Sequence, residues 1–267
     1  MSAGSPGGGL IGANRMLEVL SAESELLAAS ARGQRAERAV PACPGLNLGE
    51  TARHVGSLHR MALSWLREGP GGTPWQEDPE PGQDLADYVL TGARPLIAEL
   101  AAHDPAETWP SWWPEQQNRG FWLRRMLHET TVHRTDVQGA AGLPLDPVDD
   151  DVAADGVDEV LFYWFAHRLR ALGVTGTRDG GVAISTAGRL WLARSGPAGS
   201  EVLRVPLEPG ADPAGGNRDD VAEAVITGTP TAVYRWLWGR VPDRAVRSHG
   251  DPDSIAQLWA LLRLATR

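Results

Sequence analysis

Residues 124–136, RRMLHETTVHRTD, decide the fold. A helix drawn through them lines up Trp122, Met126, Glu129, His133, Val137 and Ala140 on one stripe. Glu129 and His133 are one turn apart in the middle of an apolar face, where an unpaired carboxylate is costly. His128 lies off the stripe. The two histidines are five apart and do not share a face, so this is not the His-Glu-x-x-His arrangement of zinc proteases. A metal held by Glu129 and His133 would neutralise the buried carboxylate. The competing reading is a plain hydrogen-bonded pair or an arginine salt bridge.

A third ligand is expected from a facing helix, as in other bundles with metal cores. Upstream, residues 40–62 read VPACPGLNLGETARHVGSLHRMA. Asn47 followed by Glu50 marks a helix start, an N-cap with its reciprocal partner. That helix offers His54 and His59. Periodicity favours His59, which falls with Leu48, Ala52, Val55, Ala62 and Leu66; His54 lies at the edge of the stripe. Three ligands and one open position is the catalytic zinc arrangement, whereas structural zinc has four protein ligands. Asp136, seven residues after Glu129, is the one candidate for a fourth.

Around these two segments the pattern predicts further helices over 10–31, 83–102 and 151–172, with Pro/Gly-rich breaks between them. From residue 173 the character changes. VAISTA, RLWLAR, EVLRVPL and VAEAVITG read as strands, TAVYRWLWGR and DSIAQLWALLRL as helices, and GADPAGGNRDD as a surface loop. The expected organisation is therefore a flexible 1–9, a helical bundle over 10–172 and a smaller α/β domain over 173–267.

Composition narrows the function. At 267 residues, with 42% hydrophobic and 22% charged side chains, the chain has material for one large core or two ordinary ones. A formal charge of −9 disfavours nucleic acid as a partner. No apolar run reaches the roughly 20 residues a membrane helix needs. The opening MSAGSPGGGL lacks a basic segment followed by an apolar one, so no secretory signal is expected. The single cysteine, Cys43, allows no internal disulfide and no Cys-x-x-Cys site, which fits a reducing cytoplasm. All 25 basic side chains are arginine, which excludes Schiff-base catalysis and a P-loop lysine.

The two quoted segments together, about 75 residues apart, resemble the mycothiol-dependent maleylpyruvate isomerase family. The resemblance implies an α+β chain, with a DinB-like four-helix bundle followed by a smaller, sterol-carrier-like α/β domain. It implies zinc held by His54, Glu129 and His133, which prefers His54 where periodicity prefers His59. It also implies mycothiol, the low-molecular-weight thiol of actinobacteria, as cofactor or co-substrate. In the isomerase reaction the thiolate adds to a conjugated cis double bond, the resulting single bond rotates, and expulsion of the thiol leaves the trans product. Mycothiol S-transfer to an electrophilic small molecule is the alternative, and a non-catalytic metal-binding or small-ligand-binding protein the third.

The family completes its active site with an arginine from the C-terminal part. Arg240, in LWGR, is the expected catalytic residue, with Arg235 on the same helix and Arg124, Arg125 and Arg134 beside the metal motif as competitors. The substrate site is expected between the two halves, with Arg240 directed at the metal. For Arg240 the bland reading is a cation capping a helix C-terminus. Trp112 and Trp113 are expected either to line a pocket mouth or to pack against the bundle. The expected partners are a small-molecule substrate and a small thiol, with no nucleic acid and no membrane, in a monomer or homodimer.

Overall fold

The computed structural model describes residues 9–71, 74, 76–206 and 222–266. The expected flexible start up to residue 8 and the expected loop at 210–220 lie outside the described residues. Ile11–Pro147 forms one compact unit; Val148–Arg267, joined by Leu10, forms the second.

The first unit contains four helices: α1 (Ala13–Ala31), α2 (Leu48–Glu68), α3 (Leu85–Ala101) and α4 (Arg119–Ala141). Local chemistry sets their ends. Asn47 and Glu50 form the full capping box of α2: the Asn47 side chain accepts from the Glu50 N–H at 2.8 Å, and the Glu50 carboxylate accepts from the Asn47 N–H at 2.9 Å. Asp84 and Asn118 cap α3 and α4 through their side-chain oxygens, and Gly142 in the left-handed region ends α4. In the packing, α1 and α2 each lie against both α3 and α4. Leu27, Leu48, Val55, Val89 and Val137 fill the core between them. The α2–α4 contact is the one that positions the histidines.

Helix α4 is buried around most of its circumference, polar side chains included. A helix in that position must satisfy its charges internally. It does so with ion pairs between side chains one turn apart and with partners on other segments. Arg134, fully buried, grips both oxygens of Glu23 on α1 at 2.6 and 2.9 Å.

The second unit opens with one helical run: α5 (Asp150–Glu159), a π-helical segment (Val160–Arg168) and α6 (Leu169–Leu172). It continues into a five-stranded sheet of order β3-β2-β1-β4-β5. Strand β1 (Gly180–Thr186) runs antiparallel to β2 (Arg189–Gly196), with Ala183 opposite Leu192. The loop joining them is Ala187-Gly188, both at positive φ, the two-residue hairpin turn that matches strand twist. Strand β3 (Gly199–Val205) is antiparallel to β2. Strand β4 (Ala224–Thr227) is parallel to β1, and β5 (Arg247–Gly250) is antiparallel to β4. Helices α7 (Pro230–Leu237) and α8 (Pro252–Ala265) complete the unit.

The helical-then-mixed architecture is the expected one, and two details differ. The compact units divide after Pro147, not at 172/173. The run 150–172 packs with the second unit because α5 lies against α7 and the π-helical segment lies against β3 and α8. Strand β5 was not anticipated. All four of its residues are exposed, so RSHG carries no apolar alternation to betray a strand. Among the described residues no helix is long and apolar enough to cross a membrane.

Candidate metal centre

His54 on α2 and Glu129 and His133 on α4 come together in the first unit. Glu129 Oε1 is 3.0 Å from His54 Nε2 and 3.1 Å from His133 Nε2. The two imidazole rings meet edge-to-face, with centroids 5.2 Å apart. One ligand atom from each of the three lies within 4.8 Å of the others. Both Nε2–H groups converge on one carboxylate oxygen. Without those protons, two nitrogen lone pairs and a carboxylate oxygen face a common point.

Two of these groups, His133 and Glu129, are held from behind. Asp136 Oδ2 is 3.0 Å from His133 Nδ1, the ring nitrogen turned away from Glu129. Asp136 therefore acts as the orienting carboxylate of a carboxylate–histidine pair and is no fourth member of the cluster. Arg125, one turn before Glu129 and 1% exposed, donates from Nη2 to Glu129 Oε2 at 2.5 Å. Burial by itself would raise the Glu129 pKa, but Arg125 and the two histidine bonds outweigh it, and the carboxyl is held well below its ordinary value. Burial would lower His133. The bonds to Asp136 and Glu129 reverse that and raise it to about 9 in the metal-free chain. At neutral pH in the metal-free site a cationic His133 and the Arg125 guanidinium thus both face the ionised Glu129.

His59, the histidine favoured by periodicity, is elsewhere. It is fully buried, with Nε2 2.9 Å from Thr130 Oγ1. Thr130 gives its own hydroxyl proton to the Met126 carbonyl at 2.7 Å, so His59 donates and is neutral. Burial, with Arg60 nearby, lowers its pKa to about 4, and its Nδ1 has no hydrogen-bond partner. The side chains of His54, Glu129 and His133 keep 23%, 12% and 11% exposure, so the cluster is reachable where His59 is not.

Two of the competitor arginines beside the motif are engaged by carboxylates within the first unit. Arg134 is occupied by Glu23, and Arg125 by Glu129. Trp113 is buried; Trp112 packs at 4.9 Å from Trp122 and 6.2 Å from Trp65, in the bundle's aromatic cluster. Arg240 stands just past the end of α7. Its N–H donates to the Arg235 carbonyl and that of Gly239 to the Trp236 carbonyl, each at 2.8 Å, with Gly239 at φ 70°. These two bonds make a Schellman end. The Arg240 side chain donates to the Trp238 carbonyl at 2.7 Å, beside the Trp238 ring. A capping contact is thus present at Arg240. Cys43 lies in the turn before α2 and is not among the clustered ligands.

Residues 17–138, a stretch containing His54, Glu129 and His133, match the sequence model of the mycothiol maleylpyruvate isomerase N-terminal domain. No match is found among curated protein sequences. Two solved structures share the fold. One is described as the crystal structure of the mycothiol-dependent maleylpyruvate isomerase: 14% identity, 91% of this chain and 96% of that one, TM-score 0.55. The other is a histidine-to-alanine mutant of the mycothiol-dependent maleylpyruvate isomerase: 13% identity, the same coverage, TM-score 0.56. At such identities the structural likeness is one of fold, and the match over residues 17–138 makes the N-terminal part of this chain similar to the mycothiol maleylpyruvate isomerase N-terminal domain.

Proposed function

We propose that the chain is a zinc-dependent, mycothiol-using enzyme that isomerises a conjugated cis double bond in the manner of maleylpyruvate isomerase. The convergence of His54, Glu129 and His133 carries this reading. Zinc bonds of about 2.0–2.2 Å in a tetrahedral site set ligand atoms roughly 3.3–3.6 Å apart. The two carboxylate–imidazole separations, 3.0 and 3.1 Å, lie within a few tenths of an ångström of that spacing, and all three ligand atoms lie within 4.8 Å of one another. Two imidazoles and one carboxylate form a donor set suited to zinc, and three ligands, with no fourth in the cluster among the described residues, fit a catalytic site better than a structural one.

A bound zinc supplies a positive centre beside which a thiol ionises near neutral pH. The chain's own residues do the rest. Asp136 fixes the orientation of His133, and Arg125 keeps Glu129 ionised. The incoming thiolate forms a bond to one carbon of the double bond, and the displaced electron pair moves onto the conjugated carbonyl oxygen. After rotation the pair returns, the carbon–sulfur bond breaks with its electrons going to sulfur, and the thiolate is released along with the trans product. The negative charge on the oxygen needs a fixed cation, and such preorganised charge supplies several kcal/mol. Arg240 is the residue we assign to it.

The test measures metal content and turnover on one preparation. Purified protein should carry about one zinc per chain and convert maleylpyruvate to the trans isomer only when mycothiol is present. His54→Ala should lose both. Wild-type protein that binds no divalent metal would sink the reading. A stable thioether accumulating in place of the trans product would reassign the chemistry to S-transfer, and bound metal without any thiol-dependent turnover would leave a binding protein.

A further inference from the structure

We propose that Arg125 is a positioning residue for the metal centre: it reserves one oxygen of Glu129, so that the carboxylate offers only the other to the space between His54 and His133. The inference rests on the metal reading above and adds to it how the carboxylate is presented. The two oxygens of Glu129 have divided duties. Oε2 takes the Arg125 guanidinium at 2.5 Å, and Oε1 faces both histidine nitrogens at 3.0 and 3.1 Å. Arg125 sits on the same helix one turn earlier and is 1% exposed, so its reach is fixed by the helix and its position by packing. A charge-assisted bond of that length, shielded from water, is among the stronger hydrogen bonds a protein makes.

Arg134 makes the contrast. It closes on both oxygens of Glu23, at 2.6 and 2.9 Å, and leaves that carboxylate nothing to offer. Arg125 leaves Glu129 one oxygen. The consequence lies in coordination number. Glu129 contributes a single atom, the two histidines one each, and a further position stays open to an external thiol. With Arg125 removed, the freed oxygen can join the metal and fill that position.

The test uses the full chain loaded with cobalt(II) in place of zinc, with 2-mercaptoethanol as the thiol probe. Four-coordinate cobalt(II) absorbs visible light far more strongly than five- or six-coordinate ion. The wild type should show the strong band and a sulfur-to-cobalt charge-transfer band when thiol is added. In Arg125→Leu the visible band should weaken severalfold and the thiol response should shrink, with Arg125→Lys in between. Spectra of Arg125→Leu identical to wild type would overturn the inference. Should Arg125→Leu fail to fold, the zinc-loaded minus metal-free infrared difference spectrum of the wild type still decides. A carboxylate bound through one oxygen shows a wide separation of its two stretching bands. The narrow separation of two-oxygen binding would refute the role. Wild-type protein that takes up no cobalt would bring down the metal reading and this one together, whereas normal uptake with spectra indifferent to Arg125 removes this one alone.

Discussion

Each unit buries a carboxylate in the middle of its packing, and the two are treated differently. In the second unit Asp158, fully buried, accepts from Trp191 Nε1 at 2.8 Å and from Arg204 Nε and Nη2 at 2.7 Å each. Its acceptor capacity is taken up by permanent donors, which is how a structural charge is made tolerable. In the first unit Glu129 has a permanent donor on one oxygen only. Its other oxygen is held by two histidine protons, which a metal ion can replace. A buried acid bound by arginine and indole is closed; one bound by imidazoles is exchangeable. By that criterion Glu129 is the exchangeable carboxylate and Asp158 the scaffold one.

The sharpest way to break this contrast is to neutralise the two acids in turn. Glu129→Gln should abolish zinc binding and lower thiol-dependent turnover by more than about a hundredfold, beyond the loss typical of an outer-shell partner, while the chain stays folded. Asp158→Asn should do the reverse: zinc content per folded chain unchanged, stability lower by about 3 kcal/mol, the low end for a broken buried pair because Arg204 keeps some access to water. Denaturant melts and metal analysis on both variants check the pair. A Glu129→Gln protein that retains its zinc, or an Asp158→Asn protein as stable as wild type, would dissolve the distinction.

The two buried histidines of the bundle sharpen the comparison through pH. His59 binds its proton only at about 4 when folded but near its ordinary 6.5 when unfolded. Between those values the unfolded chain holds more protons, so the stability present above pH 6.5 is lost as pH falls toward 4, a change of about 3 kcal/mol. His133, raised to about 9 in the metal-free chain, works in the opposite sense: its contribution is present below 6.5 and is lost as pH rises toward 9. His59→Gln, which can still donate to Thr130, should flatten the acid limb of the wild-type melting profile. Parallel acid limbs in the two proteins would show that His59 is not the titrating group.

His59 and His54 also show how far the sequence could be read. Asn47 and Glu50 are a purely local signal, and the capping box they announce is present. The Glu129–His133 stripe was equally legible, because one turn of helix places both without help from the rest of the fold. Periodicity failed on the third partner for a physical reason. It reports depth of burial, and the deepest histidine on α2 is the sealed one. A residue that reaches across to a neighbouring helix and keeps some exposure sits at the edge of the stripe, where His54 is. The unit boundary failed for a different reason. An amphipathic helix such as α5 carries the same pattern whichever layer it packs on, and only tertiary contacts assign it to the sheet. The partners of Asp158, at positions 191 and 204, were out of reach of any local pattern.

Arg240 tests whether the second unit contributes more than scaffold. Arg240→Ala should lower turnover by about two orders of magnitude, the usual cost of removing one preorganised charge, with zinc content unchanged. Its observed contact with the Trp238 carbonyl gives the opposing expectation a definite form. If Arg240 only caps α7, the variant keeps normal turnover and loses about 1 kcal/mol of stability. Measuring both quantities on one variant separates the two.

The smallest expected effect belongs to Cys43, and it locates the sulfur chemistry. An internal thiol able to do the work of mycothiol would have to reach the His54–Glu129–His133 cluster. Cys43 sits in a tight turn, its N–H donating to Val40 and its carbonyl accepting from Leu46, each at 3.1 Å. It precedes α2, whereas His54 comes more than a turn and a half into that helix, about 9 Å along the axis from its first residue. A turn pinned on both sides cannot carry its side chain that far without unfolding the capping box. This turn supports the proposed use of a thiol from outside the chain. Cys43→Ser should leave zinc content, turnover and the requirement for added thiol unchanged, and should shift stability by no more than about 0.5 kcal/mol, as for a partly exposed position away from the core. Turnover that proceeds without any small thiol and disappears in Cys43→Ser would place the nucleophile inside the chain and overturn the mycothiol assignment.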